Sequence, residues 1–534
     1  MIDVLIIGSG GAGLTAGLSA KEQDLEVLIV GKNHATSSQT TMAQGGINSA
    51  LGNITPDSIE LHIKDTMKSA HGLCDINMIK RVCQNGPDTI EWLDRLGVPF
   101  NRTKDNKIAQ RGLGGASSKR ACYAQDYTGL KILHTLYDSC LRENIQIEDD
   151  YFLLNLIVED KIVKGATFFN IKTGEVEQIL AKKIVIATGG YGAIYKNYTT
   201  NATNSTGDGI ASVLRAGGKV SDMEFIQFHP TALKHSSILI SESARGEGGY
   251  LVNSKGERFI DELLPRDVVA RAIYNQIHTL HQDVFLDLRH LGREKLLKLM
   301  PQEVHLSKIH EGIDPADELI PIKPVAHYTM GGIDVNSNLE VNGLKNCYAI
   351  GECSNAKIHG ANRLGGNSLL EIITLGRFVA KELSKDLRDY LVSDIHLKRD
   401  IDYIDSIFNR DSFSKNFYQL EANLGEKFYK YAGIKRDNNQ LNLLLDKIED
   451  MKSSINDIGI VDKSREHNSN LIDFLQFLNL LDIGEIIVKS AIKRDESRGA
   501  HYKIGYPKED SRYLGNFLFW RENGEIKSQF RGVK

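Results

Sequence analysis

Apolar and polar positions along the first thirty residues fall into three blocks. IDVLII (2–7) and LEVLIV (25–30) are nearly unbroken apolar runs, and between them GSGGAG (8–13) leads into LTAGLSAKEQ (14–23), which is apolar at helical spacing. Strands covered on both faces carry few polar positions, so two such runs around a helix predict a parallel βαβ unit. KKIVIATGG (182–190) and NCYAIGE (346–352) have the same character far downstream. One sheet interrupted by an insertion accounts for them. The insertion is expected between about 225 and 325, where YLVNSKGERFI (250–260) and RDVVARAIYNQIHTL (266–280) keep no βαβ rhythm. From 379 to about 490 the pattern is helical: LNLLLDKIEDM (441–451) and LIDFLQFLNLLDIGEIIVKSAI (471–492) are apolar at i, i+3, i+4 and i+7. From RDESRGAHYKIGYPKED (494–510) onward the chain is polar with Gly and Pro, which predicts an extended finishing segment.

Bulk properties narrow the function classes. A chain of 534 residues suggests roughly three to four units. With 65 basic against 69 acidic side chains there is no field to recruit nucleic acid. Six cysteines, at 74, 83, 122, 140, 347 and 353, include no C-x-x-C and no histidine at zinc-ligand spacing, so neither a metal nor an iron–sulfur cluster is expected in this chain. Unpaired thiols fit a reducing compartment, and the strand that starts at residue 2 leaves no room for a leader, so a cytoplasmic location is expected. No run of 18 apolar residues appears, so no direct membrane span is expected.

Gly8, Gly10 and Gly13 satisfy G-x-G-x-x-G between a strand and a helix. The first permits the tight turn, the second lets a pyrophosphate approach the backbone and the third lets helix pack on strand. The second strand ends in Gly31 and Lys32 where an acidic ribose ligand often stands, which weakens an NAD reading. ATGG (187–190), TGDG (206–209) and AIGE (349–352) add glycine-rich loops suited to a larger cofactor, and FAD is favoured.

QFHPTAL (227–233), SESARGEGG (241–249), PRD (265–267), HYTMGG (327–332), HGANRLGGNSLLE (359–371) and ESRGAH (496–501) occur in an order that resembles the flavoprotein subunits of succinate dehydrogenase and fumarate reductase. L-Aspartate oxidase shares much of this pattern. The resemblance implies an α/β architecture: a Rossmann-like FAD-binding domain (1–225 and 326–380) with an inserted α+β capping domain (226–325), then a helical domain (381–490) and a C-terminal segment (491–534). It implies hydride transfer between FAD and a C4 dicarboxylate, succinate or fumarate, with Arg266 as proton donor and acceptor through a relay of Glu242 and Arg245. Arg363 and His327 would clamp one carboxylate, and His229 and Ser241 the other; the family usually has Thr at the place of Ser241. FAD contacts carried over by motif are Gly8, Gly10, Gly13, Lys32, Thr40, Gly45, Gly46, Asp208, Glu352, Ser368 and Leu369, with Asp208 and Glu352 as ribose or backbone-amide partners or, alternatively, helix caps.

Two further positions depart from the family. In QRGLGG (110–115), Leu113 stands where succinate and fumarate enzymes typically carry Phe and aspartate oxidases a Glu that meets the substrate ammonium. An apolar Leu leaves a buried ammonium unpaired, so a dicarboxylate without an amine fits better. In SSQTTMAQGG (37–46), Gln39 replaces the histidine by which many members bind FAD covalently, so noncovalent FAD is expected. The resemblance also implies an iron–sulfur subunit as electron partner, tied to a membrane-anchored quinone module and holding the chain at the inner face of the cytoplasmic membrane. The alternatives are L-aspartate oxidase and a non-catalytic, FAD-stabilised assembly subunit.

Overall fold

A computed structural model describes residues 1–410 and 416–533. The apolar runs at 2–7 and 25–30 form the parallel strands Ile2–Ile7 and Val27–Val30, in register Val4↔Val27. On the other side Ile2–Ile7 pairs with the strand Glu175–Ile186, as Ile2↔Ala181 and Ile7↔Ile186, and Cys347–Ala349 joins that strand in parallel as Cys347↔Ile184. These four segments, spread over the sequence, thus lie in one sheet, as the apolar runs predict.

The strand Glu175–Ile186 does more than the sequence suggested. Its second half lies in the parallel sheet, while its first half pairs antiparallel with Ile162–Asn170, which pairs in turn with Tyr151–Glu159. One twelve-residue strand therefore welds a meander to the nucleotide-binding sheet. The helices Gly11–Lys21 and Asn367–Leu383 pack together against this sheet, and a Cβ on Gly376 would come within 2.9 Å of Thr15 Cβ.

The insertion builds its own sheet, in the order Ile226–Leu233, Ile320–Thr329, Val284–Asp287, Tyr250–Asn253. Its core, which includes Leu233, Leu251, Val269, Ile273 and Leu286, is separate from the main one. The helices Arg266–His278 and Pro301–Glu311 pack on it. The outgoing and returning strands pair from Ile226↔Thr329, so this unit runs past residue 325, in mid-strand, to Thr329.

The helices Ile395–Phe408, Phe417–Tyr431, Asn438–Ser453 and Ser469–Lys493 follow. Among the described residues no helix is long and apolar enough to cross a membrane, no group of side chains is arranged to hold a metal ion, and the six cysteines are free.

The finishing segment is more ordered than its composition suggested. Gly515–Glu522 and Glu525–Gly532 form a hairpin closed by Asn523 and Gly524, both at positive φ (51° and 82°), the two-residue turn that Asn-Gly favours. The first strand of the hairpin pairs with Val220–Ser221, as Val220↔Phe519. Buried polar groups secure the same junction: Arg494 pairs with Glu224 at 2.6 Å and Glu496 at 2.9 Å, and Arg436 donates to the His501 ring at 2.7 Å, which burial and that guanidinium keep neutral. Leaving Arg494, Glu224 or Glu496 without its partner would cost several kcal/mol, on the order of 3–5, so the network dictates how the segment seats.

Candidate active site

The polypeptide turns out of the strand Ile2–Ile7 at Gly8, at φ 116°, and enters the helix Gly11–Lys21 after two intervening residues. A Cβ on Gly8 would lie 2.2 Å from Ala187 O, and one on Gly13 would lie 1.9 Å from Gly8 O. Only glycine permits this closeness, and the result is a helix N-terminus facing an open cradle. The cradle is one end of a cavity of about 240 Å³ that runs to Arg266 and Arg363. All nineteen residues carried over for cofactor, substrate and chemistry line it except Gly13 and Arg245, which stand behind it.

At the nucleotide end, Thr40 Oγ1 accepts from Gly11 N (3.1 Å) and so orders the loop against the helix start. Lys32 extends from the second strand to Asp208 Oδ2 (2.5 Å) and Thr206 Oγ1 (3.0 Å), and Asn479 Nδ2 donates to Asp208 Oδ1 (2.9 Å). Asp208 therefore spends its charge on Lys32. It opens the helix Asp208–Arg215 without capping it, since the cap position is Gly207. Glu352 does not cap a helix through its side chain either: its Oε1 accepts from Thr329 N (3.0 Å) and Oγ1 (3.2 Å). Burial pushes this carboxyl up to about 7, against the pull of these bonds and of Arg363. Ser368 and Leu369 bring the first turn of a second helix to the cavity, and Gly45 and Gly46 pass close beneath Leu113 and Ala121. Two helix N-termini, glycines that approach backbone closely and an elongated cavity fit a dinucleotide such as FAD. Gln39 lines the same cavity, with its Oε1 accepting from Ala202 N (2.8 Å).

At the far end, donors without partners among the described residues converge. His229 and His327 sit with ring centroids 4.9 Å apart. Nδ1 of His229 accepts from Thr231 N (3.2 Å), and Nδ1 of His327 meets Thr200 Oγ1 (2.7 Å), which leaves Nε2 of each ring for a ligand. Burial first, and the Arg266 guanidinium second, hold both rings well below the ordinary histidine range, so they are neutral donors. Among the described residues Arg363 finds no hydrogen-bond acceptor, although it is only 5% exposed; its guanidinium lies 4.2 Å from the Tyr328 ring centroid. Burial and the like charge of Arg266 lower it to about 10. Ser241 Oγ accepts from Ser243 N (3.2 Å) and keeps its proton free to donate. Leu113 supplies an apolar wall there, 3.8 Å from where a Cβ on Gly45 would stand.

Arg266 Nη2 and Nε donate to Glu242 Oε2 at 2.7 and 3.0 Å, and Arg245 Nη2 reaches Glu242 Oε1 at 3.3 Å. All three side chains are buried. Burial alone would raise the Glu242 carboxyl, but the two guanidiniums outweigh it and hold the group below the usual range. The structure thus brings together every side chain that the sequence motifs assigned to substrate and proton.

Six further participants were not assigned a role from the motifs. Arg266 Nη1 donates to Gln227 Oε1 (3.0 Å); Gln227 stands two residues before His229 in a motif already quoted, which was the available signal. Tyr328, beneath Arg363, donates its hydroxyl to Glu371 Oε2 (3.1 Å), which also meets His359 Nε2 (2.7 Å). Ser241 N donates to the fully buried Glu303 (3.2 Å), and Asp126, from the FAD-binding unit, accepts from the N–H groups of Gln302 and Glu303 at the start of Pro301–Glu311. Asp126 and Glu303 lie far apart in sequence and match no motif.

A family model described as FAD binding domain matches residues 3–369, and one described as fumarate reductase flavoprotein C-term matches residues 421–534. A succinate dehydrogenase flavoprotein subunit of Rickettsia bellii is 38% identical over 97% of this chain and 92% of its own length. A fumarate reductase flavoprotein subunit of Proteus vulgaris is 35% identical over 100% and 94%. A mutant quinol fumarate reductase FrdA of E. coli superposes with a TM-score of 0.95 at 32% identity, covering 100% of this chain and 96% of that one.

Proposed function

The chain belongs to the family of succinate dehydrogenase and fumarate reductase flavoprotein subunits, FAD-dependent oxidoreductases, and from that premise we infer how its own residues interconvert succinate and fumarate. FAD, when bound, supplies the two-electron hydride acceptor or donor. Arg363 and His327 hold one carboxylate of the substrate, and His229 and Ser241 hold the other. Arg suits the first task because its planar fork binds carboxylate in two places. Neutral histidines suit theirs because they donate without changing charge as the substrate comes and goes.

Desaturation removes a hydride from one carbon and a proton from its neighbour. Arg266 takes that proton as it hands one of its own to Glu242, and in the reverse direction it delivers a proton to the substrate as Glu242 returns one. An isolated guanidinium has a pKa above about 12 and seldom gives up its proton. Glu242, bonded to both Arg266 and Arg245, lets the proton hop so that no bare neutral Arg accumulates. The observation that carries the reading is Arg363, a buried cation with no acceptor among the described residues, beside the two imidazoles of His229 and His327, whose Nδ1 atoms are engaged and whose Nε2 atoms face the cavity. A dianion completes that set, and Leu113 offers nothing to an ammonium.

The test is anaerobic. Succinate should bleach the oxidised flavin and fumarate should restore the reduced one, with L-aspartate inert; bleaching by L-aspartate alone would move the chain to an aspartate oxidase activity. We further infer that FAD is held without a covalent bond, since a carboxamide at Gln39 is no useful nucleophile. Acid denaturation should release all flavin from the protein band. Electrons would pass to or from an iron–sulfur subunit and a membrane quinone module, which would keep the chain at the membrane without a span of its own.

A further inference from the structure

A second cavity, of about 110 Å³, shares Arg266 and Arg363 with the first. One lip belongs to the FAD-binding unit: Lys68 and His71 at the end of the helix Ile59–Ser69, Gly114 and Gly115, and the loop before Asn367–Leu383. The other lip is the start of the helix Arg266–His278, from the capping unit. The cavity is therefore a seam between the FAD-binding unit and the capping unit, which has a core cluster of its own.

Its charge balance is positive. The single acidic side chain on its wall, Asp267, is committed to Arg271 (2.7 Å) and Asn362 (3.2 Å). Arg266 is neutralised by Glu242, and His71 faces Glu509, which Arg498 also holds (2.7 and 3.0 Å). Lys68 and Arg363 remain, and among the described residues neither has an acidic partner; the first is exposed at the mouth, the second buried at the partition. At about 30 Å³ per water the space holds a few waters or one small organic anion. The partition itself is thin. Glu242 is clasped between two glycines, since a Cβ on Gly114 would meet its Oε1 at 2.5 Å and one on Gly365 its Oε2 at 2.4 Å. These glycines belong to one lip and Glu242 to the other unit, so parting the lips joins the two cavities.

We propose that this seam is a loading site for the dicarboxylate, where a C4 dianion rests between Lys68 and Arg363 before it passes the Arg266–Glu242 partition to His229 and His327. The inference rests on the reading of the chain as a succinate and fumarate enzyme. Arg363 then serves both cavities, receiving the substrate on one side and clamping it on the other.

Binding of fumarate to the oxidised holoprotein, followed in a stopped-flow instrument by the perturbation of flavin absorbance, tests it without chemistry. Lys68→Glu should lower the association rate constant by about three- to tenfold at low ionic strength, one residue's share of electrostatic steering, with Lys68→Met between it and the parent. The difference should shrink at about 0.5 M salt. Lys104→Glu, the same charge change on an exposed loop, should leave both association and turnover at the parent level. An association rate for Lys68→Glu equal to that of Lys104→Glu would overturn the inference, as would weaker binding caused wholly by faster dissociation. Parent protein that binds fumarate but does not oxidise succinate would instead sink the proposed function.

Discussion

Replacing Arg266 by Gln removes three hydrogen bonds at once: two to Glu242, at 2.7 and 3.0 Å, and one to Gln227 at 3.0 Å. Glu242 is 2% exposed and keeps only the longer bond from Arg245. Breaking a buried pair costs about 3–5 kcal/mol when nothing replaces the partner, and the remaining Arg245 puts the expected loss of stability at the low end, about 3 kcal/mol. The loss of activity should be larger than that figure suggests. A positioned proton donor contributes about 10²–10⁴ in rate, and a Gln carboxamide supplies none of it. Arg266→Lys separates the two effects, because its ammonium keeps the charge near Glu242 but loses the planar reach that touches relay and substrate together. Turnover of succinate should fall at least about 100-fold in both variants, while fumarate binding to the Lys variant, read from the flavin spectrum, changes less than about tenfold. Stopped-flow bleaching at pH 7, with the flavin-to-protein ratio measured on each sample, is the assay. Turnover above about a tenth of the parent rate in fully flavinylated Arg266→Gln would refute the proton role and leave Arg266 only a charge.

Leu113→Glu sets a carboxylate beside a dianion; like charges in a closed site cost several kcal/mol, so the bleaching rate with succinate should drop at least about 100-fold, and L-aspartate should gain relative to it. His62, fully buried with Nε2 at 2.9 Å from Asn367 and Arg120 nearby, is lowered from 6.5 to about 4, by burial first and that guanidinium second. The unfolded chain therefore takes up a proton below pH 6.5 that the folded chain refuses until about 4; this group's contribution is intact above 6.5 and falls by about 1.4 kcal/mol per pH unit across the window. Urea unfolding at pH 7, 6 and 5 should show this slope diminished in His62→Gln, and an unchanged slope would remove His62 as a cause. Gly13→Ala drives a methyl to 1.9 Å from Gly8 O, so soluble protein should carry far less flavin than the parent; full occupancy would contradict the cradle.

The parallel sheet was legible because buried strands announce themselves as apolar runs, wherever they stand in the chain. Pairing partners were less so. The meander of Tyr151–Glu159 and Ile162–Asn170 has mixed polarity, and nothing local reveals that Glu175–Ile186 serves two sheets. The hairpin at Asn523–Gly524 carried a turn signal that its polar surroundings masked. Site residues borne on compact motifs, such as Arg363, His327 and Glu242, were readable through the family resemblance those motifs carry. Asp126 and Glu303 were not, because a cap donated by one unit to the helix of another exists only after folding.

The junction of Val220 with Phe519, and of Glu224 with Arg494, also sets a timetable. Ribosomes extend chains at about 5–20 residues per second, so roughly 15–60 s of synthesis separate the two partners. During that interval the nascent chain holds an open strand edge and carboxylates that lack their cations. Such edges invite foreign strands. The last forty residues therefore close the flavin-binding half of the molecule as they emerge, and a transcript cut short within them would yield a protein with its nucleotide cradle built and its flank still open to aggregation.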